Sequence, residues 1–311
     1  MKRLCKLLSL LLAALLFYSC APKDGFNADT AHVFTDSAGY TVALDAPPRR
    51  VAVLFSSLAD IWVLAGGSLA ITVGESEERG IVAAGSTVLV DTGAGKAIDT
   101  EALLAAAPDF VVVSSDIPAQ KEAAALLREA DIPVAEFRVE CFADFLAVLR
   151  TCTEITGRAD LYEQYGTAQK ERIDAILQEK PFADKRILFI RAGSSARSVK
   201  AKGSADHFAA AMLCELGGEN IADQAPVLLD GLSMEVILAN DPDYIFFVAM
   251  GDEQASQLYV TAMLQQPEWQ ALDAVANGQH AYLSKELFHY KPCARWAEAY
   301  GALAALAEVG V

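Results

Sequence analysis

The chain has 311 residues, 53% of them hydrophobic and 21% charged, and a formal net charge of −16. That much apolar residue over that length suits two ordinary domains and excludes a disordered chain. So acidic a chain also excludes nucleic acid as a partner, because phosphate binding is driven by Lys and Arg.

Residues 1–6 are basic, and Leu7–Tyr18 is an apolar run interrupted only by Ser9. A membrane-spanning helix needs about 20 apolar residues, so this run suits the core of a signal peptide instead. Ser19-Cys20 follows, then the polar run Ala21–Gly25. A small residue before a cysteine at this point resembles a bacterial lipobox, although Phe17 and Tyr18 stand where Leu and a small residue are usual. The pattern predicts a signal peptide over 1–19 and a tether over 20–31 carried by a lipid on Cys20. The other reading is an ordinary cleaved signal with an incidental cysteine. Without residues 1–19, which hold Lys2, Arg3 and Lys6 and no acid, the charge falls to −19. Such a chain is repelled by anionic lipid, so membrane association must come from the anchor.

His32–Leu44 reads as a hairpin turning at Asp36–Gly39, and Pro47-Pro48 punctuates the chain after it. Strands and helices then alternate, which predicts an α/β fold with parallel strands. Arg50–Phe55, Ala70–Gly74, Phe110–Val113 and Pro133–Phe137 are the strands of the first half. Leu58–Ala65, Thr100–Ala107 and Ala119–Ala130 are its helices. Phe142–Thr156 has apolar residues at helical spacing, Gly157 breaks it, and Leu161–Leu177 continues as a helix. No Pro/Gly/Ser-rich linker divides the halves, so the connector is helical and stiff. The alternation restarts with strands at Arg186–Ile190, Tyr244–Val248 and Ala281–Leu283. Helices are predicted at His207–Leu216, Ser233–Ala239 and Arg295–Val309. The boundaries are an N-terminal lobe over 32–141, a connector over 142–180 and a C-terminal lobe over 181–311.

The second half echoes the first. Glu101-x6-Pro108-Asp109-Phe110 recurs as Glu235-x6-Pro242-Asp243-Tyr244, each position displaced by 134. Arg50–Leu54 likewise resembles Arg186–Ile190. The repeat predicts two similar α/β lobes with parallel central sheets flanked by helices, joined by a long rigid helix, with the ligand cleft between them. Ligands of open α/β sheets sit beyond the carboxyl ends of the strands, and lobe interfaces are favoured sites. On that rule the cleft residues are Phe55, Ser56, Ser57, Glu77, Arg79, Ser115 and Asp116 from the first lobe. The second contributes Arg191, Arg197, Lys202, Met250, His289, Tyr290, Lys291, Arg295 and Trp296. Residues 191–207 hold three further basic groups besides Arg191 and Arg197 against one acid, Asp206, which suits an anionic ligand. A solvated basic loop would have the same composition. His207, at the start of a helix, reads as structural.

These residues resemble solute-binding proteins of ABC importers for iron complexes, haem and cobalamin, over nearly all of 33–309. The carriers are Asp36-x2-Gly39-x2-Val42, Pro48-x-Arg50-Val51, Glu101–Leu104 with Pro108-Asp109, Leu216–Ala222, Leu232-Ser233-x-Glu235, and Ala274-Val275-x-Asn277-Gly278. The resemblance implies a monomeric lipoprotein, exported and anchored to the outer face of the membrane, that delivers an anionic metal chelate or corrinoid to an ABC permease dimer. It implies that Glu101 and Glu235 dock onto permease arginines. First-turn acids also stabilise their own helices, and both roles are compatible. No intrinsic cofactor is implied. His289 or Tyr290 would be iron ligands if haem is the cargo.

No GxSxG, HExxH or Walker A pattern is present, so an enzyme is not expected. Asp91–Lys96 lacks the P-loop spacing. A sensor or docking module on the same fold, or an exported hydrolase with an unrecognised site, are the alternatives. Cys141, Cys152, Cys214 and Cys293 show no CxxC spacing, so zinc is not expected. They read as buried thiols, with a disulfide left open by the exported setting.

Overall fold

A computed structural model describes residues 31–309. The signal segment and Cys20 lie outside the described residues. No helix among those described is long and apolar enough to cross a membrane.

Strands β1 (His32–Thr35) and β2 (Thr41–Leu44) form the expected antiparallel hairpin. Its turn is held by Asp36, whose buried carboxylate accepts from the amides of Ala38, Tyr40 and Glu136 at 3.0, 2.8 and 2.9 Å. Arg128 lies 3.9 Å from Asp36 and 2.7 Å from Glu136, so the buried charges are paired. The hairpin is thereby fastened to the edge of the first large sheet.

That sheet has the order β5-β4-β3-β6-β7, all parallel: β3 Val51–Val53, β4 Ile71–Thr72, β5 Val88–Leu89, β6 Phe110–Ser114 and β7 Val134–Phe137. Every residue of β6 and β7 is buried, as expected of parallel strands covered on both faces. The second sheet runs β10-β8-β11-β12, built from β8 Arg186–Ala192, β10 Glu219–Asn220, β11 Tyr244–Ala249 and β12 His280–Leu283. Its one antiparallel member, β9 (Val199–Ala201), folds back on β8. The sheets thus form two α/β lobes of similar build.

The sequence repeat recurs in the hydrogen bonding of the two corners, with one amide bond fewer at the second. Asp109 accepts from the amides of Arg49 and Arg50 at 2.7 and 2.8 Å, and Asp243 accepts from that of Arg186 at 2.7 Å. The Arg50 side chain donates to the Ala106 carbonyl, and the Arg186 side chain donates to the Asn240 carbonyl. Before each Pro-Asp pair the chain turns through a left-handed residue, Ala107 (φ 46°) or Asp241 (φ 39°). The following proline cannot continue a helix, so both helices, α3 (Thr100–Ala105) and α9 (Met234–Asn240) in the numbering below, stop at the same corner. Glu101 and Glu235 take no part in this bonding and remain exposed.

The other helices that matter for the site are α1 (Ser56–Leu64), α2 (Gly74–Glu78), α4 (Pro118–Glu129), α5 (Phe142–Thr156), α6 (Ala159–Tyr162), α7 (Ala168–Glu179), α8 (Phe208–Glu215), α10 (Glu253–Leu264) and α11 (Trp296–Val309). The connector is two helical runs. α5 ends at Gly157, φ 70°, and a π-turn at Glu163–Thr167 fuses α6 to α7. Strands β5, β9 and β10 and helix α10 are additions to the sequence-based elements. Residues 70–74 hold a shorter strand than expected, because α2 begins at Gly74.

One apolar core runs from the first lobe through the connector into the second. Its junction is Trp296, fully buried, with ring centroids 5.9 Å from Phe142, 6.2 Å from Phe145 and 5.7 Å from Phe208. Trp296→Ala is expected to lower stability by about 3–5 kcal/mol, the usual cost of truncating a buried aromatic. The urea unfolding midpoint would read the loss.

Candidate functional site

Parallel strands put their carboxyl ends on one edge of each sheet, and here the two edges face each other. Beyond β3 lie Phe55, Ser57 and Leu58, beyond β6 Ser114, Asp116 and Ile117, and at the end of β7 Phe137, Val139 and Glu140. Opposite stand Arg191 of β8, the Asp206–Phe208 entry to α8, and His289 and Lys291 of the last loop. Together they line a cavity of about 230 Å³.

Two imidazoles form part of this wall. His207 caps α8: its Nδ1 accepts from the Ala209 amide at 3.2 Å, which fixes the proton on Nε2 in the neutral ring. The ring lies 4.9 Å from both Phe189 and Phe208. Burial, then the charges of Lys291 and Arg191, hold its pKa well below 6.5. His289 is pushed down to about 4 by burial and by Arg191, Lys285, Arg79 and Lys96, and its Nδ1 is buried with no hydrogen-bond partner. Both rings are neutral at pH 7.

The cations are held differently. Lys291 reaches across the lobes to Glu140 at 3.2 Å and lies 4.7 Å over the Phe208 ring; burial lowers its pKa while Glu140 opposes the shift. Arg138 pairs with Asp116 at 3.0 Å. Arg191 has no ionic partner among the described residues, its Nε is buried without an acceptor, and burial lowers its pKa. Arg79 lies behind the wall. It pairs with Asp60 at 3.4 Å, donates to Ser56 at 3.0 Å, and sits 4.5 Å over the Tyr290 ring. Burial raises the Asp60 pKa against the pull of Arg79.

Of the residues expected in the cleft, Phe55, Ser57, Asp116, Arg191, His289 and Lys291 line the cavity. Ser56 is fully buried and bonds to Glu75 and Arg79, and Trp296 is the core junction, so neither faces the cleft. Tyr290 turns under Arg79. Arg295 pairs with Glu298 at 2.7 Å and, with Arg79, lines a separate small pocket. Glu77 accepts from the Gly85 amide at 2.8 Å, away from the cavity. Ser115, Arg197, Lys202 and Met250 do not line the cavity; Arg197 is exposed in a 3-10 turn. His207 belongs to the wall despite its helix-starting position, and so do the apolar Phe137 and Phe208. Among the described residues no group of three or more His, Cys, Asp or Glu could hold a metal. The four cysteines are free, with Cys152 and Cys293 buried and Cys141 and Cys214 half-buried.

A family model described as periplasmic binding protein matches residues 51–287. The chain belongs to this family. Three solved structures illustrate the shared fold. The Staphylococcus aureus protein SirA, solved with staphyloferrin B, is 18% identical, with a TM-score of 0.66 over 89% of this chain and 97% of that one. The catecholate-siderophore binding protein VctP of Vibrio cholerae is 15% identical, with a TM-score of 0.69 over 90% and 99%. The vitamin B12 binding protein BtuF of Vibrio cholerae is 17% identical, with a TM-score of 0.68 over 85% and 98%. No curated protein sequence matches the chain. Periplasmic binding proteins are solute-binding proteins rather than enzymes, and this one is extracytoplasmic.

The neutral imidazoles have a consequence for stability. After unfolding they take up protons below about pH 6.5, while in the fold His289 resists protonation until about pH 4. Stability therefore falls as pH drops through that window. The urea midpoint is expected to be lower at pH 5 than at pH 7, and His289→Gln should make that slope shallower.

Proposed function

We propose that this chain is a lipoprotein, anchored through Cys20, that captures an iron complex (a siderophore or haem) or a corrinoid and delivers it to an ABC permease. The observation that carries this reading is the cavity between the facing strand ends, walled by aromatic rings and by Arg191, Lys291 and neutral imidazoles. Aromatic faces suit a flat or chelated ligand, and a guanidinium without a counter-ion suits its anionic groups. The solved relatives named for siderophore and vitamin B12 binding support the same class of cargo.

Glu101 and Glu235 are the proposed docking pair. They are exposed on equivalent helices at equivalent places in the two lobes. Two matched carboxylates complement a two-fold partner with matched cations, and such pairs set orientation and encounter rate.

The full chain in detergent is titrated with ferric siderophores, haem and cobalamin. Quenching of its tryptophans, or a Soret band with haem, is expected at micromolar ligand; no response to any of them would refute the reading. Charge reversal at both Glu101 and Glu235 is expected to abolish uptake in cells while leaving binding in solution within about twofold. Loss of solution binding would instead place these residues at the cleft. Cys20→Ala should release the chain from the membrane fraction.

A further inference from the structure

The chain enters the sheet of the second lobe at Arg186 and leaves it at Leu283. The short helix Lys285–Phe288 follows, and the Lys285 carbonyl accepts from the His289 and Tyr290 amides at 2.9 and 3.2 Å. From Tyr290 onward the chain returns to the first lobe. The Tyr290 ring lies 4.5 Å from the Arg79 guanidinium. Lys291 donates to Glu140 at 3.2 Å, and the Cys293 thiol donates to the Ser57 carbonyl at 3.7 Å. Arg79, Glu140 and Ser57 are all first-lobe residues. The 3-10 turn Cys293–Arg295 packs on helix α1.

The far end of this loop is tied to the connector. The buried Gln169 side chain of α7 donates to the Cys293 carbonyl at 3.1 Å and accepts from the Ala297 amide at 3.1 Å. One carboxamide thus brackets the end of the loop and the start of α11, and α11 then packs along α7. Cys293 itself is left-handed, with φ 48°. That conformation is unfavourable for a residue with a Cβ and persists only where the surroundings hold it. Gln169 and the first lobe supply the hold.

The contacts with the second lobe are of a weaker kind. The Lys291 ammonium lies 4.7 Å over the Phe208 ring, and the Lys285 ammonium lies 5.6 Å over the Tyr290 ring. Among the described residues, the side chains of 290–295 make their hydrogen bonds to the first lobe alone, apart from Arg295, which pairs with Glu298 of α11. A charge-assisted hydrogen bond holds a lysine more firmly than an aromatic face does. Lys291 is therefore fixed by Glu140 before it is fixed by Phe208.

We propose that residues 290–295 are a strap that stays with the first lobe when the lobes move, held there by Arg79 and Gln169 as positioning residues. The moving boundary then falls at the short helix Lys285–Phe288 as well as at the connector. The cavity wall divides accordingly. Lys291 keeps its place beside Glu140, while Arg191, His207 and Phe208 shift with the second lobe. The consequence for cargo rests on the solute-binding reading above: the first lobe and its strap offer a solute a half-site that does not wait for closure.

The test reads the native thiols of the full chain in detergent, alkylated with N-ethylmaleimide and located by peptide mass spectrometry. Cys293 is buried between the strap and α1, and burial followed by Asp60 raises its pKa, so it reacts only when the strap lifts. Arg79→Gln and Gln169→Leu are each expected to speed Cys293 labelling about tenfold or more, with Cys152 labelling and amide exchange in β8 and β11 unchanged. Trp269→Ala truncates the separate core of the second lobe. It is expected to speed exchange in β8 and β11 about tenfold while leaving Cys293 labelling within about twofold. Val260→Ala, a smaller truncation of the same core, serves where Trp269→Ala does not fold. Cys293 labelling that follows the second lobe, or that ignores both Arg79→Gln and Gln169→Leu, would overturn the strap. Ferric enterobactin, haem and cyanocobalamin are then titrated by tryptophan quenching. Whichever binds is expected to bind Arg79→Gln and Gln169→Leu about tenfold more weakly, and unchanged affinity would overturn the positioning role. Silence from every solute would refute the solute-binding reading alone, because the thiols decide the strap without a solute.

Discussion

The architecture depends on Trp296. The two sheets have separate strands and partly separate cores, yet a third core joins them through this indole and its contacts with Phe142, Phe145 and Phe208. Phe142 and Phe145 belong to the connector, while Phe208 is part of the cleft wall. One side chain thus links the joint between the lobes to the wall of the cavity. Close-packed cores resist small displacements, so the cleft is held by packing as well as by the Lys291–Glu140 pair. Any closure must be a small adjustment about this joint, in contrast to the wide swing of lobes joined by loops alone.

Much of this was legible in the chain itself. The Glu-x6-Pro-Asp repeat disclosed the two lobes because a proline and an aspartate have fixed local duties. The proline stops a helix, and the aspartate caps the strand beside it. Strands of two or three residues, such as β5, β9 and β10, are too short to express a period. Helix α10 was hidden because Leu258 is 67% exposed, which blurs its apolar stripe. The rule that ligands sit beyond strand ends pointed to Phe55, Ser57, Asp116, Arg191, His289 and Lys291, which line the cavity. It failed where side-chain direction decides, as with Ser56 and Trp296 turned inward and Tyr290 turned beneath Arg79.

The duplicated corner separates structural from interactive residues within one motif. Pro108, Asp109, Pro242 and Asp243 form the turn and its hydrogen bonds, whereas Glu101 and Glu235 stand outside that bonding and exposed, at the same distance from each turn. Leu104 and Leu238 repeat this relation, being 44% and 40% exposed at equivalent positions. The fold therefore displays the same small surface twice, once per lobe, and the rigid corner behind each copy fixes how that surface is oriented.

Arg191 has a consequence for when its desolvation is settled. A guanidinium free in water must shed its hydration shell as the ligand arrives, and that cost is subtracted from the affinity. Here the Nε nitrogen has already lost its water on folding, so the penalty is carried by the stability of the empty protein. A group dehydrated in this way is preorganised in charge rather than in shape. The empty protein is accordingly less stable than its packing alone would make it.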